Sequence, residues 1–170
     1  PQVKFLSRGS GYTLFLTPEE AVLALIKAPG DGTVLRMTLV GARPSPRITG
    51  LEELPGKVNY FIDNDPAKWR TNIPTYAKVK YESVYPGVDL VYYGNQHELE
   101  YDFVVAPGAD PKAITLAFDG PDRLEVDAQG DLVLRTDGGE LRLRKPVVYQ
   151  EVDGTRKPIA GNYILKSKTQ

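Results

Sequence analysis

Apolar and polar residues alternate in short runs through most of this chain, and glycine, proline, asparagine and aspartate separate the runs. That is the pattern of half-buried strands joined by tight turns. It is clearest in residues 88–93 and 98–105, with the turn-forming sequence Gly94, Asn95, Gln96, His97 between them. Setting Tyr93 opposite Glu98 pairs Tyr92 with Leu99, Val91 with Glu100, Leu90 with Tyr101, Asp89 with Asp102 and Val88 with Phe103. One face of the hairpin is then Val88, Leu90, Tyr92, Leu99, Tyr101 and Phe103, which predicts core. The other is Asp89, Val91, Tyr93, Glu98, Glu100 and Asp102, which is acidic. A one-residue slip would bury the carboxylates, so the pattern specifies the register.

The same reading extends to both sides of this hairpin. Residues 12–17 predict a strand, but the segment after it has two readings. Thr17, Pro18, Glu19 and Glu20 have the form of a helix-capping box, and Pro18-Glu19 also suits the centre of a tight turn into a second strand. Residues 11–25 resemble residues 130–143: glycine, a Leu-x-Leu strand, threonine, a polar turn, a second strand. The later copy turns on Asp137, Gly138 and Gly139, which has no helical reading, so the comparison favours a hairpin in both places.

Residues 34–40 predict a strand. Residues 41–55, rich in proline and glycine, read as a crossing loop and a candidate internal boundary. A short strand is expected at 58–62, then a single helical turn from Asp65-Pro66 that carries Trp69 inward. In the next strand, 76–82, Ala77, Val79 and Tyr81 share one face and Lys78, Lys80 and Glu82 the other. That second face would complement the acidic side of the hairpin if the two are neighbours. Further strands are expected at 113–118, 123–127, 131–136, 140–144, 147–152 and 162–166. The fold class is therefore all-β: an antiparallel β-sandwich, or two packed β subdomains, with at most short helical turns, forming a single β-rich domain over residues 1–170.

Composition narrows the function classes. A chain of 170 residues without cysteine excludes disulfides and thiolate metal sites, and its length is enough for a core without staples. A net charge of −1 supplies no field for nucleic acid or anionic lipid. No run approaches the ~18 apolar residues of a membrane span, so no membrane insertion is expected. The chain opens on Pro1 without a basic and then apolar leader, so any targeting segment is expected to lie outside it.

Candidate chemistry centres on the acidic hairpin face. Asp89 and Asp102, placed opposite each other, would repel unless a cation or proton intervenes. Three readings are open: a salt-bridged surface neutralised by Lys78, Lys80 or Arg70; a calcium site with Asp63, Asn64 and Asp65 contributing oxygens; and a glycosidase-like carboxylate pair. The first needs nothing that the chain does not visibly contain. Trp69 and Tyr93, with Asp89, Glu100 and Asp102, form the candidate ligand-binding set, as an aromatic platform for sugar rings beside carboxylates. The alternative for Trp69 is a core plug. His97, the one histidine, has no cysteine or second histidine for zinc and no nucleophile elbow to activate. No phosphate loop is present. The expectation is that the chain carries no catalytic residues, no assigned metal site and no cofactor.

The run at 1–25, the segment 54–82, the run Val84 to Pro111 that includes Tyr85, Pro86, Gly87 and Leu99, Glu100, Tyr101, Asp102, Phe103, and the later 130–134 and 145–151 resemble the N-terminal domain of large bacterial surface proteins that carry SBBP β-propeller-type repeats. Asp63 stands where that pattern carries a glycine, and aspartate tolerates the same left-handed geometry. The resemblance implies export, an extracellular or cell-surface location and a modular parent protein. It also implies downstream domains of the same chain as partners, and it brings no catalytic residues. The resulting expectation is a non-catalytic structural or adhesive module. A carbohydrate-binding module acting on surface polysaccharide is the first alternative, and a glycoside hydrolase-like enzyme the second.

Overall fold

The computed structural model describes residues 2–28, 31–94 and 98–166. The chain is built of strands: β1 Phe5–Gly9, β2 Tyr12–Leu16, β3 Glu20–Ala28, β4 Asp31–Leu39, β5 Arg47–Tyr60, β6 Arg70–Tyr85, β7 Val88–Gly94, β8 Leu99–Val105, β9 Leu116–Asp119, β10 Arg123–Val126, β11 Leu132–Thr136, β12 Gly139–Leu143, β13 Val148–Val152 and β14 Thr155–Ile159. Two single 3-10 turns, Pro66–Lys68 and Pro111–Ala113, are the helical content among the described residues. The strands form antiparallel sheets ordered β1-β2-β3-β4-β9, β5-β6-β7-β8, β10-β11-β12 and β13-β14. The all-β expectation is met.

The chain divides into two compact units. The first comprises Pro1–Leu23 and Arg36–Ala117, the second Ala24–Leu35 and Phe118–Gln170. In the first, a sandwich core gathers Leu14, Leu16 and Ala21 from one sheet and Tyr81, Val84, Tyr85, Val88, Leu90 and Tyr92 from the other. Tyrosines are admitted because their hydroxyls find carbonyls: Tyr81 Oη donates to Thr17 O at 2.9 Å, and Tyr85 Oη lies 3.0 Å from Val40 O and 3.2 Å from Thr115 O. Tyr81, Tyr92, Tyr101 and Phe103 pack ring against ring, with centroids 5.6, 6.0 and 5.9 Å apart in succession. In the second unit the meander β10-β11-β12 buries Leu132, Val133 and Leu134. Its outer face is a lattice of ion pairs in which Arg135 meets Glu125 and Glu140 and Arg142 meets Glu140 and Asp127.

The two matching segments are both hairpins. Thr17 Oγ1 donates to Glu20 O at 3.1 Å, and Thr136 Oγ1 donates to Gly139 O at 3.0 Å. In each, a threonine at the end of one strand, directly after β2 for Thr17 and the last residue of β11 for Thr136, bridges a two-residue turn to the start of the next. The capping-box atoms of the first are present, with Thr17 Oγ1 accepting from Glu20 N at 3.0 Å, but they close a turn and no helix succeeds it.

Several expectations are corrected. Residues 41–55 are loop only as far as Pro46, because β5 begins at Arg47. Glycine and proline sit within this strand for separate reasons. A Cβ on Gly50 would fall 2.4 Å from the Tyr76 ring, so only glycine lets that ring lie against the strand. Pro55 falls where the pairing with β6 slips between Leu54 and Lys57, in a strand at the sheet's edge where a missing N–H costs no ladder bond. The expected strand at 162–166 is absent, and β14, which contains Pro158 and lacks apolar alternation, takes its place beside β13. Asp63 adopts φ 53°, the left-handed geometry expected of its position.

Candidate functional site

The acidic hairpin forms with its faces as read but with different partners. Val88, Leu90 and Tyr92 are buried and Asp102 is exposed. The pairs, however, are Asp89 with Val104, Leu90 with Phe103, Val91 with Asp102, Tyr92 with Tyr101, Tyr93 with Glu100 and Gly94 with Leu99. This lies two residues from the expected register, so every side chain keeps its face while Asp89 and Asp102 no longer stand opposite each other. The expected turn residues Asn95 and Gln96, and His97, lie outside the described residues.

β6 lies along β7 on its other side, with Lys78 opposite Tyr93 and Lys80 opposite Val91. Lys80 Nζ approaches Asp89 Oδ2 to 2.8 Å, and Lys78 Nζ reaches Glu52 Oε1 at 2.5 Å. Asp89 has a second partner: Ser83 N donates to its Oδ1 at 2.7 Å. Ser83 stands at φ 50°, inside a bulge where the β6–β7 pairing shifts between Tyr81 and Tyr85. The lysine and this N–H hold the Asp89 carboxyl below its ordinary range, and the same carboxylate holds the Lys80 ammonium above its own. Asp89 therefore clamps a bulge, with both oxygens engaged. Tyr93 is half-buried, and its hydroxyl is pushed well above its ordinary value by desolvation and by the neighbouring Asp102 and Glu100 carboxylates. Among the described residues, no three histidine, aspartate or glutamate side chains converge as metal ligands.

Trp69 belongs elsewhere. β7 pairs with β6 only as far as Lys78, and beyond it β5 and β6 continue as a two-stranded ribbon to Tyr60 and Arg70. At its end Asp65 Oδ1 accepts from Ala67 N at 3.1 Å and caps the 3-10 turn. Trp69 comes directly after this turn and remains 38% exposed, with Phe61 63% and Ile62 49% exposed beside it. The expected inward position of Trp69 is therefore corrected, because its apolar neighbours at the ribbon's end, Phe61 and Ile62, are themselves exposed and form no core there. The Trp69 ring meets Phe61 edge-on at 5.0 Å and 86°, and its Nε1 donates to Asp63 O at 3.3 Å. Tyr93, opposite Lys78, lies nine residues along from Trp69, about 30 Å at the rise of a strand. The five candidate ligand-binding residues thus fall into two places: Asp89, Tyr93, Glu100 and Asp102 on the outer face of β7 and β8, and Trp69 at the ribbon's tip.

The surface holds an open depression in each unit. One, of about 450 Å³, is lined by Phe5, Pro18, Pro46 and Ile48 with Lys4 and Ser45. The other, of about 530 Å³, lies among turns containing Thr33, Gly120, Asp122, Thr136, Asp137 and Gly138. The model of a family described as a domain of unknown function, DUF7948, matches residues 1–170. The chain belongs to the DUF7948 family. No curated protein and no solved structure matches this DUF7948 domain. No helix among the described residues of the domain is long and apolar enough to cross a membrane.

The exposed pair Phe61 and Ile62 is what sequence reading missed in this DUF7948 domain. The signal was present as two consecutive large apolar residues directly before Asp63-Asn64-Asp65-Pro66, a turn sequence that cannot lie within a buried strand.

Proposed function

We propose that the DUF7948 domain is a non-catalytic structural or adhesive module of an exported bacterial multidomain protein, N-terminal to repeat domains against which it packs. The observation that carries this reading is the ribbon end, where Phe61, Ile62 and Trp69 hold large apolar side chains in water. An aromatic cluster on a projecting element is expensive to expose and is a common anchor for a partner. The carboxylates of the acidic face support the same reading, since Asp89 is engaged by Lys80 and Ser83. The resemblance to domains preceding SBBP repeats supplies the export and the modular setting. Sugar binding is the weaker reading, because Phe61 and Trp69 are nearly perpendicular and a flat platform needs rings in one plane.

The test is a photo-crosslinking amino acid at Phe61 in the intact parent protein on its producing cells. The reading expects adducts to a downstream domain of the same chain or to a surface polymer. Recovery of the parent protein without any adduct, with the crosslinker shown to be reactive, contradicts it.

A further inference from the structure

We propose that β8 is a docking edge that accepts an extended segment of another polypeptide as a fifth strand, and that this segment alternates apolar with lysine or arginine residues. The inference deepens the reading as an interaction module by naming a partner's chemistry, and it uses a surface separate from the ribbon's tip.

The carrying observation is the edge itself. β8 is the last strand of the sheet β5-β6-β7-β8. Its seven residues, Leu99–Val105, contain no proline, glycine or lysine, and the pairing with β7 runs from Val88–Val105 to Gly94–Leu99 without a shift. Natural edge strands are normally shortened, bulged, broken by proline or marked with charge, above all lysine, to prevent addition of a further strand. β8 has only acidic charge, at Glu100 and Asp102, which repels a like strand and leaves a basic one admissible. The other described edges obey that rule: β1, β9, β10, β12, β13 and β14 have five residues or fewer, and β5 carries bulges, Pro55 and Lys57.

The parity of the ladder gives the peptide groups that face outward. Ala106 N donates to Gly87 O at 2.8 Å, one step beyond the Val88–Val105 pair. Alternation from that bond turns the backbone groups of Asp102 and Val104 toward β7 and those of Phe103 and Val105 away from it. Val104 and Val105 are 55% and 36% exposed, so the end of the strand is open.

Charge and shape then select the occupant. An added strand would lay one set of side chains beside Tyr101 and Phe103, which are half-buried, and the alternate set beside Glu100 and Asp102. The molecule contains a model for such a match, since β6 sets Lys78 and Lys80 on the outer face beside β7 and draws Asp89 to Lys80. Opposite charges across neighbouring strands stabilise the pair and like charges destabilise it. A second copy pairing β8 with β8 would bring Glu100 and Asp102 of one chain against those of the other, so self-association by this edge is disfavoured.

The probe is a fluorescein-labelled octapeptide alternating valine and lysine, with a valine–glutamate octapeptide as control. The intact domain should bind the lysine peptide and not the glutamate peptide. D102K should weaken binding by about tenfold or more, and V105P, which removes an outward N–H, should abolish it. Amide exchange at Phe103 and Val105 should slow by about tenfold on saturation, which separates strand addition from loose charge attraction. If V105P loses its fold, D102K and the exchange readout decide. The proposal is overturned by equal binding to D102K, by binding without slowed exchange at Phe103 and Val105, by no binding at millimolar peptide, or by a wild-type dimer. A Phe61 crosslink in the parent protein without binding of the lysine peptide leaves the module reading standing while the edge fails; binding of the lysine peptide with slowed exchange but no Phe61 crosslink does the reverse.

Discussion

β5 and β8 close the same sheet on opposite sides and are finished differently. β5 slips register twice, carries Pro55 and Lys57 and sets Glu52 at φ 55°, while β8 runs straight through its seven residues. The far half of β5 is paired with β6 alone, and its apolar residues Leu54 and Val58 are exposed. β8 leans on β7, whose Val88, Leu90 and Tyr92 are buried. Where a strand lacks a sheet beyond its neighbour, irregularity protects it from adding strands. Where the edge is seated on the core, it is left regular, and that regularity is a chemical opportunity as well as a hazard.

The largest test of this contrast truncates the floor beneath each edge. Leu90→Ala, opposite Phe103, should cost about 2–5 kcal/mol in urea unfolding. Leu54→Ala, 43% exposed, should stay within about 0.5 kcal/mol. Equal losses at both sites would remove the distinction between a seated edge and a projecting one.

A smaller effect is expected at the bulge beside β7. The Asp89 carboxyl is held below its ordinary value of 3.8 by Lys80 and Ser83 N. A carboxyl whose folded pKa is depressed adds stability above the unfolded value and loses it as pH falls through the folded one. Wild type should therefore lose stability below about pH 4, and Asp89→Ala should lose less over that interval while being weaker by about 1 kcal/mol at neutral pH. Parallel acid profiles for the two proteins would show that the clamp carries no energy.

Smallest of all is Val104→Lys, which gives β8 the kind of charge that β5 has at Lys57. The side chain is 55% exposed, so stability should change by no more than about 0.5 kcal/mol, while addition of a lysine-bearing strand should weaken. A loss well above that would mean that the outer face of β8 is already covered.

The strands, the faces of the acidic hairpin and the threonine-bridged turn at Thr17 were legible because each rests on alternation or turn chemistry within a few residues. The register of that hairpin was not. A two-residue slip leaves every side chain on its face, so the pattern of Val88, Leu90 and Tyr92 against Leu99, Tyr101 and Phe103 fits either alignment. Choosing between them takes the whole ladder, down to Ala106 and Gly87. β5 was hidden for the opposite reason. Gly50 and Pro55 read as loop, yet one makes room for the Tyr76 ring and the other sits in a bulge on an edge, and both facts depend on a partner strand some 20 residues away. Of the candidate site, the neutralisation of Asp89 by Lys80 was legible from the facing patterns. The separation of Trp69 from Tyr93 emerged only once β6 was seen to outrun β7.

Amide hydrogen exchange along β8 in the free domain tests the account most directly. The ladder predicts slow exchange at Asp102 and Val104, which face β7, and fast exchange at Phe103 and Val105, which face outward. Uniform protection along the strand, or protection at the two outward amides, would contradict the open edge on which the account rests.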